Sequence, residues 1–120
     1  MERNWDTVRE ILLAIEKLEP EKQLIISDFN EERAHEISYH VQLIEQAGLV
    51  NVTISQSNSL KAKDFFARNL TWEGHEFLDS IRVKDTWTKV KNVVSDKGGV
   101  MTFEVIKAVA AGIVKTTIIA

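Results

Sequence analysis

The chain of 120 residues contains no cysteine. This absence excludes disulfide bonds, thiol catalysis and thiolate metal sites, and it fits a reducing compartment. Long hydrophobic runs are also absent, since no apolar stretch approaches the roughly 20 residues of a membrane helix. Met1 is followed by the charged stretch ERNWD rather than by a signal peptide. We therefore expect a cytoplasmic protein that does not enter a membrane.

Basic residues are scarce in the first half of the chain. Residues 1–59 hold five Lys or Arg against eleven Asp or Glu, whereas residues 60–120 hold ten against seven. Nucleic-acid-binding proteins usually carry a basic patch, because contacts to phosphate supply most of their non-specific affinity. The acidic first half therefore counts against simple DNA binding, although the net charge of −3 does not exclude it.

Hydrophobic periodicity predicts a mainly helical α+β fold. Hydrophobic residues make up 44% of the chain and charged residues 28%, an ordinary globular composition. Apolar residues recur at helical spacing in five segments and β-branched residues mark three short strands. The predicted helices cover residues 4–19, 30–48, 71–82, 86–97 and 102–114, and the predicted strands cover residues 24–26, 49–56 and 64–70.

The order of these segments predicts a winged helix-turn-helix-like domain. The strands at 49–56 and 64–70 form a hairpin that occupies the place of a wing, with residues 57–63 as its polar tip. A complete second helix does not fit between Pro20 and Asn30, so we expect it to be missing or reduced to a turn. We assign residues 1–82 to the winged-helix-like domain and residues 83–120 to a helical C-terminal extension.

Two motifs carry a resemblance to known families. The stretch ISYHVQLIEQAGLV, residues 37–50, is similar to the reading helix and first wing strand of bacterial winged-helix regulators. The stretch LTWEGHEFLDSIRVKDTW, residues 70–87, followed by KVKNVVSDKGG, resembles the uncharacterised family called domain of unknown function 2513. That resemblance covers nearly the whole chain. It implies a winged-helix-like fold and occurrence in phages, prophages and mobile elements, but no established activity.

The polar face of the helix at 30–48 and the hairpin hold the candidate DNA contacts. Serine and glutamine can hydrogen-bond base edges, and lysine, arginine, tyrosine and histidine can contact phosphate. Against this reading, the acidic residues Glu31, Glu32, Glu36 and Glu45 would repel phosphate. The candidate nucleic-acid-binding residues are His35, Ser38, Tyr39, Gln42, Lys61, Lys63 and Arg68.

The last helix is a candidate protein interface. It has few charges and its apolar residues spread beyond one stripe, so it must be covered either by the chain's own core or by a second copy. We expect a homodimer. The candidate interface residues are Phe103, Ile106, Val109, Ile113 and Val114.

Metal binding and catalysis find little support. His35 and His40 are five residues apart and point in different directions on a helix, so we expect no metal and no cofactor. In TWEGHEF, Glu73, His75 and Glu76 lack a nearby nucleophile motif, and Gly74 is better explained by close packing. We therefore expect a protein that is not an enzyme.

Two functions remain open at this stage. The first is a DNA-binding transcriptional regulator, in which the helix around Ser38–Gln42 faces the groove and Lys61 and Lys63 contact phosphate. The second is a protein-interaction module that binds or inhibits a host protein through the acidic helix face or the last helix. The winged-helix resemblance favours the first, while the acidic first half and the reduced second helix favour the second.

Overall fold

The computed structural model describes residues 1–55, 61–96 and 98–119, with side chains as far as residue 113. The backbone divides into two compact units, Met1–His75 and Glu76–Ala120. The boundary between these units falls inside a helix, whereas the sequence analysis placed the domain boundary after residue 82.

The first helix, α1 (Trp5–Glu16), begins at a capping residue. The Asn4 side-chain oxygen Oδ1 accepts hydrogen bonds from the backbone N–H groups of Asp6, at 2.9 Å, and Thr7, at 3.3 Å. These bonds satisfy donors that have no partner within the helix. Apolar residues at three- and four-residue spacing form the buried face of α1, which contacts α2 and β3. These residues are Val8, Ile11, Leu12 and Ile15.

A short strand and two turns replace a second helix. Strand β1 (Leu24–Ile25) is followed by the 3-10 turns Ile26–Asp28 and Glu31–Arg33. Residues 20–33 contain no α-helix, as the missing helical periodicity predicts. The second turn is capped by Asn30, whose Oδ1 accepts from the Glu32 N–H at 2.9 Å. Helix α2 (Ala34–Gln46) therefore begins later than residue 30, the predicted start.

Helix α2 leads directly into the hairpin. Gly48 takes a left-handed conformation, with φ of 76°, which suits glycine because it has no Cβ. Strands β2 (Val50–Ile54) and β3 (Phe65–Leu70) then pair antiparallel, and β1 pairs with the far side of β3. The sheet order is thus β1-β3-β2, with a bulge in β3 opposite Asn51 and Val52. Most of the predicted tip, residues 57–60, lies outside the described residues.

The core of the first unit lies between α1, α2 and one face of this sheet. The sheet contributes alternate residues of β3 to it, as expected for a strand with one face buried. Ala47, which the helical spacing placed on the buried face of α2, is exposed because α2 ends at Gln46. The buried residues of α2 and the hairpin include Ile37, Val41, Ile44, Leu49, Val50, Phe65, Ala67 and Leu70.

The second unit is helical. It contains most of α3 (Trp72–Ile81), together with α4 (Lys84–Asp96) and α5 (Phe103–Ile119). Helix α4 packs on α5, and the rings of Phe77 and Phe103 stack with centroids 4.6 Å apart. Buried side chains at helical spacing include Phe77, Leu78, Ile81, Trp87, Val90, Val94, Ile106 and Ala110. The α+β, mainly helical class expected from the sequence is therefore confirmed.

Candidate functional site

Helix α2 presents a polar stripe on the side away from its buried residues. His35, Tyr39, Gln42 and Gln46 lie at steps of four, three and four residues, so they share one helix face. His35 and Gln46 are exposed, while Tyr39 and Gln42 are half-buried. We call these four residues the α2 stripe. Three of them are among the predicted nucleic-acid-binding residues.

Ser38, which was predicted to contact bases, is buried and only 3% exposed. Its hydroxyl donates to the backbone carbonyl of Lys63 at 2.8 Å, because the segment 61–64 that enters β3 lies over this part of α2. A buried hydroxyl that already donates to the chain's own backbone cannot reach a base edge. Ser38 therefore holds the hairpin against α2, and we remove it from the predicted contact residues.

Two depressions flank the α2 stripe, and each contains one of the predicted lysines. The larger cleft, of about 670 Å³, brings His35 together with Lys61. The smaller groove, of about 400 Å³, brings Gln42 together with Lys63. The larger cleft is lined by Ile26, Ser27, Phe29, Glu31, Ala34, His35, Lys61, Ala62 and Asp64. The smaller groove is lined by Gln42, Glu45, Gln46, Val52, Thr53, Ile54 and Lys63.

Arg68 contacts one residue of the smaller groove. Its guanidinium Nη1 donates to the Thr53 hydroxyl at 2.9 Å, and Thr53 lines that groove. Arg68 is the extra residue of a bulge in β3, because its neighbours Asn69 and Ala67 pair with the successive β2 residues Asn51 and Val52. The hairpin thus supplies cationic side chains next to the C-terminal half of α2. Tyr39, by contrast, lines neither depression.

The side of α2 that faces α1 contains a buried histidine. His40 is 1% exposed, and its Nε2 lies 2.8 Å from the backbone nitrogen of Asn4. Because a backbone N–H can only donate, Nε2 must accept. The ring proton is therefore on Nδ1, which donates to the Glu36 carbonyl at 2.7 Å. His40 thus joins the capping residue of α1 to the first turn of α2.

An ion-pair network continues from this histidine. The Arg33 guanidinium donates to both carboxylate oxygens of Glu10, each at 2.8 Å, and to both oxygens of Glu36, at 3.1 and 3.2 Å. The Thr7 hydroxyl also donates to Glu36, at 2.6 Å. Hydrogen bonds from Arg33 and then from Thr7 lower the pKa of Glu36 from 4.5 to about 2. Hydrogen bonds to Glu10 and then to Glu36 raise the pKa of Arg33 above its ordinary value.

This network changes the charge expected at the site. The sequence analysis counted Glu36 among the acids that would repel phosphate, but its carboxylate is turned towards α1 and paired with Arg33. The spacing of Arg33 and Glu36, three residues apart on one helical turn, was visible in the sequence. The partners Thr7 and Glu10 lie 29 and 23 residues away from Glu36 and Arg33, so only the tertiary structure reveals them.

The two motifs that carry the family resemblance meet behind the hairpin. The Thr71 hydroxyl donates to the Gly48 carbonyl at 2.6 Å and accepts from the Gly74 N–H at 3.0 Å. The Thr71 N–H donates to the Leu49 carbonyl, also at 3.0 Å. A Cβ at Gly74 would lie 2.0 Å from that same Leu49 oxygen. These residues have structural roles, and the sequence-based interpretation of Gly74 as a close-packing residue agrees with this geometry.

The predicted interface residues of α5 divide into two groups. Ile106 is completely buried in the single chain, so it belongs to the chain's own core and we withdraw it from the interface. Phe103 is half-buried under its stacking contact with Phe77. Val109 and Ile113 are also half-buried. The side chain of Val114 lies outside the described residues.

Among the residues that the structure describes, no three His, Asp or Glu side chains converge as metal ligands would. Within the same residues, no helix has both the length and the hydropathy needed to cross a membrane. Neither observation identifies a cofactor or a location.

The fold and the site define a small α+β protein in which one helix and one antiparallel hairpin together line a polar groove. Residues 2–100 match the family described as "Hypothetical protein (DUF2513)". A Haemophilus influenzae protein with the name "Uncharacterized protein" is 36% identical over 115 residues, covering 95% of this chain and 96% of that protein. The chain therefore belongs to the DUF2513 family. No solved structure matches it.

Proposed function

We propose that this chain is a DNA-binding protein of the winged-helix type that acts in transcriptional control. In this proposal α2 enters the major groove and the hairpin is the wing. Two features of the fold support the proposal. The elements follow one another as a helix, a short strand, turns, a helix and a hairpin, and the short strand β1 pairs with the returning strand β3. Occurrence in phages and mobile elements, which the family resemblance implies, stays a prediction.

The observation that carries the proposal is the position of the hairpin cations beside the α2 stripe. Lys61 shares the larger cleft with His35, and Lys63 shares the smaller groove with Gln42. Backbone contacts from lysine would orient α2 on the duplex, while residues of the α2 stripe reach base edges. The pairing of Glu36 with Arg33 supports this reading further, because it removes one carboxylate from the surface that phosphate would meet.

The test is the salt dependence of duplex binding by a double variant, Lys61→Ala with Lys63→Ala. Each phosphate contact contributes about 0.9 to the slope of log affinity against log salt concentration. We therefore expect the slope to fall by about 2 and the affinity to fall for every duplex. The control is Lys84→Ala with Lys89→Ala, which removes two exposed lysines of α4 and should change neither quantity.

Two results would count against DNA binding. In the first, the protein at micromolar concentration retains no genomic fragment in a gel shift near 100 mM salt. In the second, the two double variants lower the salt slope equally, which would mean that binding depends on total charge and not on the hairpin.

A second candidate function is protein binding, and the exposure of Trp72 favours it. Trp72 is 77% exposed at the start of α3, and tryptophan is the residue type most enriched at the energetic centres of protein interfaces. Residues 1–75 also hold eight Lys or Arg against thirteen Asp or Glu, which suits a basic partner. Glu31 and Glu32 are exposed near α2, unlike the paired Glu36.

This alternative is separated from DNA binding by matched variants in a pull-down from the bacterial host. If protein binding is the function, Trp72→Ala and the charge reversal Glu31→Lys with Glu32→Lys should each release one stoichiometric partner. The Lys61→Ala, Lys63→Ala variant should retain it. Recovery of the same proteins by all the variants would refute this alternative.

We further propose that the chain forms a homodimer, as dimeric winged-helix regulators do when they bind two half-sites. The half-buried apolar side chains Val109 and Ile113 of α5 support this proposal. Sedimentation equilibrium should give twice the mass of 13.7 kDa. A single species of one chain at tens of micromolar would refute it.

A further inference from the structure

The side-chain amide of Gln42 is held in one orientation. Its Nε2 lies 3.2 Å from the Ser38 backbone carbonyl and 3.3 Å from the Ser38 hydroxyl oxygen. A backbone carbonyl can only accept, so the amide nitrogen and not the amide oxygen must face Ser38. The Ser38 hydroxyl gives its own hydrogen to the Lys63 carbonyl, which leaves lone pairs for Nε2. The hydrogen-bond network itself therefore sets the orientation of this amide.

This orientation leaves Gln42 with one functional group for a ligand. Its Nε2 donates to both oxygens of Ser38, and neither of these bonds uses Oε1. Gln42 lines the smaller groove, next to the hairpin residues Thr53 and Lys63. At this point the α2 stripe therefore offers an acceptor, not the donor and acceptor pair that an unrestrained glutamine offers.

We infer that Gln42 is a specificity-determining residue that selects a base with an exocyclic amino group in the major groove. Adenine presents N6 and cytosine presents N4 as donors there, whereas guanine presents two acceptors and thymine an acceptor and a methyl group. An oxygen acceptor on α2 therefore favours adenine or cytosine and disfavours guanine or thymine. This inference rests on the proposed DNA-binding function. It narrows the sequence-based expectation that Gln42 hydrogen-bonds base edges.

Ser38 is a positioning residue in this scheme, because it is buried and acts through Gln42, besides holding the Lys63 carbonyl. When its hydroxyl is removed, the amide keeps one contact, to the Ser38 backbone carbonyl, and gains freedom to rotate. A glutamine that can turn is able to pair with both N6 and N7 of adenine. The Ser38→Ala variant should therefore move the preference from adenine or cytosine to adenine alone.

The experiment is selection from a pool of random 20-base-pair duplexes, followed by sequencing of the bound fraction. Wild-type protein should enrich a site with one position restricted to adenine or cytosine. Gln42→Leu should lose the restriction at that position only. The ratio of the affinity for a site with a preferred base to that for a site with a rejected base should fall by about 5- to 150-fold. The control is Gln46→Leu, which removes an exposed glutamine of the same stripe and should leave that position unchanged.

The outcomes separate this inference from the proposed function. Selection of a site whose sequence is the same for wild type and Gln42→Leu would overturn the role of Gln42 and leave DNA binding intact. A restriction to guanine or thymine that disappears in Gln42→Leu would equally overturn it. If wild-type protein retains no duplex at low salt, both the function and this inference fail. Gln42 and Gln46 are both partly or fully exposed, so the leucine variants test the inference even if Ser38→Ala does not fold.

Discussion

Replacement of Gly74 by alanine should strongly destabilise the protein, although alanine is the better helix former. Gly74 lies in the first turn of α3, and a Cβ there would approach the Leu49 carbonyl oxygen to 2.0 Å and the Leu70 Cβ to 3.2 Å. Non-bonded heavy atoms essentially never lie within 3.0 Å of a Cβ, so the start of α3 must move by about 1 Å. The Leu70 side chain restricts that movement.

The magnitude follows from three contributions to the free energy of unfolding. Overpacking of this kind costs about 1–3 kcal/mol. The displacement also strains the hydrogen bonds that Thr71 makes to Leu49 and Gly48, at about 1 kcal/mol each. Alanine returns about 1 kcal/mol through its helix propensity. The net loss is about 2–4 kcal/mol, which corresponds to a fall of roughly 10 °C in Tm for a domain of this size.

The assay is thermal and urea unfolding followed by circular dichroism, with Gly112→Ala as the control. Gly112 is exposed in α5, and a Cβ built on it meets no atom within 4 Å among the described residues, its own helix backbone aside. Alanine there should raise the free energy of unfolding by up to about 1 kcal/mol. If Gly74→Ala melts at or above the wild-type temperature, the close approach of α3 to Leu49 is refuted.

Two further predictions concern the polar network between α1 and α2. Because the pKa of Glu36 is lowered in the folded protein to about 2, its contribution to stability is present above pH 4.5 and is lost as the pH falls towards 2. Glu36→Gln should therefore lower the free energy of unfolding at pH 7 by about 1–2 kcal/mol, a value reduced because the carboxylate is 35% exposed. The difference from wild type should vanish near pH 2. A difference in urea unfolding that stays constant with pH would contradict this prediction. His40→Ala removes a buried ring with two hydrogen bonds and should cost about 2–4 kcal/mol, whereas His75→Ala, at an exposed position, should stay within about 0.5 kcal/mol. Equal losses for the two histidine variants would show that His40 does not join the helices.

Local signals predicted most of the helices and strands. Asn4 caps α1, Thr71 caps the first turn of α3 and Thr102 caps α5, where its hydroxyl accepts from the Val105 N–H at 3.2 Å. Each of these bonds spans two or three residues, so the sequence around it contains all the information needed. The left-handed conformation of Gly48 is predictable for the same reason, since only the residue type and the end of α2 are involved.

The candidate site was predicted less completely, and Ser38 explains why. Its helical position is between the buried and exposed faces of α2, so periodicity alone placed it with the polar residues. Whether it is exposed depends on the path of residues 61–64, which cover it and accept its hydrogen bond at the Lys63 carbonyl. Gln42 was assigned correctly to the polar face of α2, and Glu36 was counted among the acids that would repel phosphate. Their partners Ser38 and Arg33 change what each side chain can do.

The sequence by itself determined the family, the mainly helical α+β class and the set of polar side chains on α2, because periodicity and short motifs act over a few residues. The tertiary structure decided which of those side chains remain available to a ligand. Thr7 and Arg33 hold the Glu36 carboxylate towards α1, where Arg33 also pairs with Glu10. The segment before β3 buries Ser38, which in turn holds the amide of Gln42. The contacts of Arg33 with Glu10, of Ser38 with Lys63 and of Thr7 with Glu36 join residues 23 to 29 positions apart, and only folding brings such residues together.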